Sequence, residues 1–274
     1  MKYPAIRVLK RAFSLTDALR LCRLRLQAGH DDDALHDYRV ATRRLCSILA
    51  PFDNLSGFAA ISEPVRQLKR CLKRSNDLRD LEVQLALLSA VGADKTEGPQ
   101  RAWMEAEAIR DTLLREELLE HVTSPKISTA LRHVEMRLPD ALANHGGHSL
   151  RRAVQAYRAG LCVSIDRRLC LGPALFDEHL EWHSLRIDCK RLRYIGESHG
   201  DLLGEGWEKE ASIARRVQDG LGELRDLDIL MANLGSLADM EEGVRQKLEG
   251  VRAERQTAAE SAVAKLTQYF SVRA

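Results

Sequence analysis

The sequence predicts an all-α protein built from two related helical repeats. Apolar residues recur at helical spacing along nearly the whole chain, and no stretch rich in Val, Ile and Thr alternates as a strand would. Apolar residues make up 45% of the 274 positions and aromatic residues only 5%, a bias that suits helices. Two motifs also recur in the same order, which indicates an internal repeat.

The first half of the chain predicts five helices separated by helix-breaking residues. They are 6–28, ending near Gly29; a helix capped by Asp31, Asp32 and Asp33 that ends at Ala50 before Pro51; 63–90, ended by Gly92; 100–121; and 125–142, capped by Ser124.

The second half predicts four more helices after a break at His145-Gly146-Gly147-His148. They span 149–170, 176–198, 207–234 and 238–270, and Gly172-Pro173 separates the first two.

The internal repeat rests on two matched blocks. The segments 36–45 and 183–192 both follow H-x-x-R-x-x-x-[KR]-R-L and start 147 positions apart. A Leu-Arg-Asp-Leu block follows each of them, with its arginine at Arg79 or Arg225, 146 positions apart. These Arg-Asp pairs could also be structural ion pairs with neighbouring helices. The common order and offset predict one domain made of two helical repeats, 1–144 and 149–274.

The repeated motif concentrates basic residues on one helix face. At about 100° per residue, its basic side chains lie on one side and its apolar side chains on the other. The basic residues are His36, Arg39, Arg43 and Arg44 in the first copy, and His183, Arg186, Lys190 and Arg191, flanked by Arg193, in the second. Lys69, Arg70 and Lys73 add a basic run on the third helix, whose weaker counterpart has Arg216 but also Asp219. Two such helices packed in each copy would build a groove lined with cations.

A cation-lined groove suits a multivalent anion. The net charge of +2, from 42 basic and 40 acidic residues, says little, so the prediction depends on segregation of the positive charge. Arg offers a planar fork for phosphate oxygens, Lys a point charge, and His a donor whose charge depends on pH. The alternative is a solvated helix face with i,i+4 partners, which is favoured for the run 66–74 alone but less so for the duplicated motif.

From about Phe13 to Phe270, the two basic motifs, the Leu-Arg-Asp-Leu blocks and the helical layout resemble the CHAD domain, the conserved histidine α-helical domain. The resemblance implies two four-helix-bundle-like units with pseudo-two-fold symmetry around a basic central groove, non-catalytic binding of inorganic polyphosphate, and association with polyphosphate granules. The motif residues of both copies match the family's basic motif, and Lys69, Arg70 and Lys73 match its third helix less closely. Arg193 and Arg216 complete the expected binding set. The asymmetry at Asp219 argues against equal binding by both halves.

Two other functions are weighed against polyphosphate binding. A nucleic-acid binder would use the same surface, but the chain has few aromatic residues and no recognised nucleic-acid-binding motif. A metal-dependent phosphate-chain hydrolase would need ligands such as His179 and His183, at i,i+4, but no third ligand is evident. We therefore expect a protein that is not an enzyme and needs no cofactor.

Location is inferred from what the sequence lacks. Residues 1–13 contain no signal-peptide pattern, and no stretch of about 18 apolar residues is long enough to span a membrane. We expect a cytoplasmic protein with reduced cysteines and no membrane partner.

Overall fold

The computed structural model describes residues 3–28, 33–95, 97, 99–234 and 241–272. Across them the chain forms nine α-helices, three short 3-10 helices and no strand, which confirms the all-α prediction. The α-helices are α1 (Tyr3–Ala28), α2 (Asp33–Leu49), α3 (Ala59–Ala90), α4 (Pro99–Thr123), α5 (Pro125–Ala143), α6 (Gly147–Leu169), α7 (His179–Leu203), α8 (Trp207–Leu234) and α9 (Glu242–Ser271). The 3-10 helices are Ala50–Phe52, Ala93–Lys95 and Gly172–Phe176. Not one of the described helices is apolar enough over a sufficient length to cross a membrane.

Several predicted boundaries shift by up to about a turn. The break at 145–148 is shorter than expected, because α6 already begins at Gly147. The predicted helix end at Gly29, the caps at Asp31 and Asp32, and the predicted start at Ala238 lie outside the described residues.

Helix α3 begins four residues before its predicted start and contains Pro64. Proline has no N–H, so the carbonyl of Ala60 loses its usual donor in the next turn. The Arg137 guanidinium of α5 lies 3.4 Å from that carbonyl oxygen and donates to it. A side chain from another helix thus replaces the missing hydrogen bond.

The chain folds into two compact units, each drawing on both halves of the sequence. Unit 1 comprises Met1–Ser75, Glu116–Cys162 and Arg191–Ala211, and unit 2 comprises Asn76–Arg115, Val163–Lys190 and Ser212–Ala274. This partition differs from the sequence repeats 1–144 and 149–274, so the repeat boundaries and the pseudo-two-fold symmetry stay predictions.

The core of unit 1 includes a buried histidine that interrupts α7. His199 has non-helical φ and ψ of −134° and 20°, and it is fully buried. Its Nε2–H donates to the carbonyl of Ile48 at 2.9 Å, and its ring meets Phe52 edge-on, with the ring centres 5.5 Å apart. Burial lowers the pKa of His199 to about 4, so the imidazole is neutral at neutral pH.

Unit 2 has its own apolar core where α3, α8 and α9 meet. Its buried members are Leu88, Ala93, Leu227, Leu230, Leu234, Val244 and Leu248. Two polar contacts hold α8 at the edges of this core: Asn233 donates to Gln84 at 2.9 Å, and Arg252 pairs with Asp228 at 2.6 Å.

Two glycines of α7 let α8 approach closely within unit 1. A methyl group at Gly196 would lie 3.1 Å from the Ala211 methyl and 3.2 Å from the Trp207 ring. A methyl group at Gly200 would overlap the same indole. The glycines therefore provide the space into which Trp207 packs.

We predict that Gly200→Ala destabilises the protein by about 1–3 kcal/mol, because the added methyl overpacks the site against Trp207. Gly160→Ala in α6 of the same unit is the control, since a methyl group there meets no atom within 4 Å of the described chain. That control should be neutral or stabilising by up to about 1 kcal/mol, as for Gly→Ala in a helix. Urea denaturation followed by circular dichroism checks both values, and equal effects would contradict the proposed packing.

Candidate anion-binding site

The basic motif helix α2 is fixed against α3 inside unit 1. The Tyr38 hydroxyl lies 3.6 Å from the Cys71 thiol, and the Arg39 guanidinium donates to the backbone and side-chain oxygens of Ser75. Arg39 is only 5% exposed. It is therefore a predicted binding residue whose guanidinium is directed to the helix interface, where it stabilises the packing of α2.

Around Arg39, more exposed cations form what we call the unit-1 basic surface: His36, Arg43, Lys69 and Lys73. His36 and Arg43 lie two turns apart on one face of α2, and Lys69 and Lys73 lie one turn apart on α3. Burial raises the pKa of the Cys46 thiol on α2 to about 11, and the nearby ammonium of Lys69 opposes this rise. Lys69 of α3 therefore lies near α2, which makes the cations of the two helices one candidate surface.

The third-helix run is partly neutralised by an acid that precedes it. Glu63 pairs with Arg66 at 2.9 Å and with Arg70 at 2.5 Å, and these partners, Arg66 first, lower the pKa of Glu63. Arg74 contacts His121 and lies 4.0 Å from Glu117. For Arg70 and its neighbours, the structure therefore favours the solvated face with local partners.

Arg44 points away from the unit-1 basic surface. It follows Arg43 directly, which places the two side chains about 100° apart around α2. Arg44 is exposed and lines a hollow together with Lys10 of α1 and Ile48 of α2. The basic residues predicted to share one face of α2 thus lie on two sides of the helix.

In unit 2, the second motif copy forms what we call the unit-2 cation cluster: His183, Arg186 and Lys190 on α7 and Arg225 on α8. All four are half-buried. Burial lowers the pKa of His183, and the charges of Arg225, Arg186, His179 and Lys190 lower it further. The cluster therefore concentrates positive charge around an imidazole that is neutral at neutral pH.

The two Leu-Arg-Asp-Leu blocks meet beside this cluster. Burial raises the pKa of Asp226, Arg186 opposes that rise, and Asp80 of the other block reinforces it. The leucines of both blocks are buried in unit 2. The sequence pattern leaves the role of these blocks open and does not single out Arg225 as a binding residue, although its place in a repeated block is a usable signal.

Gly222 of α8 provides room for Arg186. A methyl group at that position would lie 3.3 Å from Nε of Arg186 and 3.7 Å from its Nη2. An added methyl group would thus be at or inside van der Waals contact with the guanidinium. Arg186 therefore packs directly against the backbone of α8 at Gly222.

The remaining predicted residues differ in environment. Arg191 is exposed in unit 1, whereas Arg193 is half-buried, pairs with Glu197 at 2.8 Å and lies 5.0 Å from the centre of the Tyr194 ring. Arg216 is exposed on α8 in unit 2, and its Nη2 lies 3.5 Å from the Ser212 hydroxyl. Asp219, which the sequence set against Arg216, pairs instead with Arg215 at 3.5 Å.

His179 and His183 do not gain the further ligands that a metal site needs. Among the described residues, no three His, Cys, Asp or Glu side chains are placed to hold a metal ion. His179 instead packs edge-on against Trp182, with the ring centres 4.8 Å apart.

The fold and these surfaces define an all-α protein with cation-bearing helices in two compact units. Residues 12–235 match the family model for the CHAD domain, so the chain belongs to the CHAD domain family. The crystal structure of the CHAD domain from the plant Ricinus communis is similar, with a TM-score of 0.67 over 95% of this chain and 91% of that one. Identity to it is 18%, so this likeness concerns the fold. A comparison with curated proteins finds no match.

We predict that Arg225→Gln raises the pKa of His183, because it removes the nearby charge that most lowers it. NMR titration of the His183 imidazole in the wild type and the variant measures the difference. Arg215→Gln is the control, since Arg215 lies on the same helix but does not contribute to the shift at His183. An unchanged titration in Arg225→Gln would show that Arg225 does not face the cluster.

Proposed function

We propose that this chain is a non-catalytic module that binds inorganic polyphosphate through the unit-1 basic surface and the unit-2 cation cluster. The observation that supports it most is that the same sequence motif supplies cations to both. Membership of the CHAD family adds to this support, since polyphosphate binding is what resemblance to that family implies.

The unit-2 cation cluster has an electrostatic reason to take up an anion. Several cations and a half-buried histidine share a small region of unit 2, with Asp226 as a nearby acid. Close like charges repel one another more strongly where they are partly removed from water. A bound polyanion would relieve this repulsion and would also favour protonation of His183.

A phosphate polymer fits these surfaces better than a nucleic acid does. Sequence-tolerant binding of single strands uses aromatic side chains on which bases stack. Trp182 is buried, Trp207 packs on the α7 glycines, and Trp103 packs against the unit-2 core. The tryptophans thus serve packing, while arginine, lysine and histidine form the candidate surfaces.

Association with polyphosphate granules would follow from binding long chains. A polymer with many equivalent phosphates can engage more than one surface, and a second contact made within the same chain strengthens retention. Granule localisation belongs to the proposal, and fluorescence of the tagged chain in cells that accumulate polyphosphate tests it.

We predict that Arg43→Glu with Lys190→Glu weakens polyphosphate binding roughly 100-fold or more, since each lost charge-assisted contact contributes about 1.5–3 kcal/mol. The variant changes one residue in each unit. Titration of long-chain polyphosphate over a salt series should also give a slope of log affinity that is shallower by roughly 1–2.

The matched control is Lys126→Glu with Lys265→Glu. It makes the same net charge change on one exposed lysine of each unit, outside the candidate surfaces. A small, equal loss in both double variants would show a nonspecific charge effect and contradict the proposal. Displacement of polyphosphate by short RNA at equal phosphate concentration would favour the nucleic-acid alternative. Release of phosphate from polyphosphate on addition of divalent metal would favour the hydrolase.

We predict that Gly222→Ala lowers polyphosphate affinity several-fold without lowering stability, because its methyl group displaces the Arg186 guanidinium. Gly250→Ala in α9 of the same unit is the control, since no atom of the described chain lies within 4 Å of an added methyl. Both substitutions should preserve or raise helix stability, by up to about 1 kcal/mol. Calorimetric titration and thermal unfolding separate the two effects, and equal affinity in both variants would exclude a binding role for this contact.

A further inference from the structure

A hollow of about 540 Å³ opens in unit 1 where α1, α2 and the C-terminal part of α7 come together. Its volume is in the range of small-molecule sites, about 300–1,000 Å³. Neither Lys69 nor Lys73 of the unit-1 basic surface lines it. The hollow is therefore a separate candidate site.

One wall is a fixed cation. Arg11 donates to the backbone carbonyl of Ser198, and its Nη1 lies 3.2 Å from Asp201. Asp201 also accepts from Arg7 at 2.7 Å. These contacts hold the Arg11 guanidinium in place, so it forms a charged wall that needs no rearrangement when a ligand arrives.

Two further cations of the hollow are available to a ligand. Lys10 and Arg44 are exposed, and neither makes a hydrogen bond or an ion pair with any residue that the structure describes. Lys10 comes from α1 and Arg44 from α2, so they face the hollow from different helices. Two such cations can contact different oxygens of one anionic group.

The charge of the hollow is positive even after its acid is counted. The carboxylate of Glu197 lines it but already pairs with Arg193 at 2.8 Å. Arg11 is likewise paired with Asp201, so Lys10 and Arg44 are the two cations of the described lining that have no paired carboxylate. A ligand with about two negative charges would balance the site.

The other residues that line the hollow favour a ligand with a small organic group over a bare inorganic ion. Leu15, which is half-buried, provides apolar contact, and the hydroxyl of Ser14 can donate or accept a hydrogen bond. A phosphomonoester combines a group of charge about −1.5 to −2 at pH 7 with an organic remainder of this size.

We infer that this hollow binds a small phosphomonoester, whose phosphate is held by Lys10 and Arg44 against the wall formed by Arg11. The organic part rests on Leu15. This site goes beyond polyphosphate binding, because it takes one compact dianion rather than a run of linked phosphates.

The test is calorimetric titration of the full chain with AMP and with glycerol 3-phosphate. The double variant Lys10→Gln with Arg44→Gln should lose at least tenfold in affinity for both esters. The control Lys126→Gln with Arg132→Gln removes two exposed cations of α5 in the same unit and should bind as the wild type does. Ser14→Phe should also abolish binding by filling the hollow without changing any charge.

Three results would overturn the inference. The first is no saturable binding of either ester by the wild type. The second is wild-type affinity in both the Lys10/Arg44 and the Ser14→Phe variants, with loss in the Arg43→Glu with Lys190→Glu variant, which would place the ester on the polyphosphate surfaces. The third is tripolyphosphate binding that depends on Lys10 and Arg44 while neither ester binds. In that case the hollow would bind the ends of phosphate chains and not a phosphomonoester. Each result can occur whether or not long-chain polyphosphate binds elsewhere.

Discussion

Each motif helix carries several cations, and packing the helix against its neighbour removes one arginine from water. The rest of the structure depends on this constraint. The arginine at the fourth position of each motif copy meets it differently. Arg39 is buried and donates to Ser75, whereas Arg186 is half-buried, lies beside Gly222 and interacts electrostatically with Asp226. A buried guanidinium without acceptors would cost several kcal/mol, so the Ser75 oxygens allow α2 to pack against α3, while Asp226 offsets part of the cost at Arg186. The remaining motif cations can then stay nearer the surface.

The fold and the family were predictable because they depend on patterns within single helices. Apolar spacing located the helices, and the duplicated motif identified the CHAD domain, which the family match confirms. A helical wheel treats each helix alone, however, and cannot show which neighbour a side chain meets. It placed Arg44 at the edge of the basic face, but it could not show that Arg44 lines a separate hollow with Lys10 of α1. It also could not show that Glu63 would pair with both Arg66 and Arg70.

Charge in this protein is arranged at two levels. Local pairs such as Glu63 with Arg66 neutralise exposed cations at little gain in stability, as surface ion pairs usually do. Beside the unit-2 cation cluster, burial raises the pKa of the half-buried acid Asp226, and Arg186 opposes that rise. A low net charge of +2 is therefore compatible with local groups of basic residues such as this cluster.

Two histidines give acid opposing effects: His199, buried at the bend of α7, and His183 in the unit-2 cation cluster. The folded-state pKa of His199, about 4, lies below the ordinary value of 6.5, so the unfolded chain takes up the proton first and stability is lost as pH falls from about 6.5 toward 4. The pKa of His183 is lowered as well, but a bound polyanion would favour protonation of its imidazole. Under the proposed function, mild acidity would strengthen polyphosphate binding while lowering the stability of the fold, and the bound ligand would offset part of that loss.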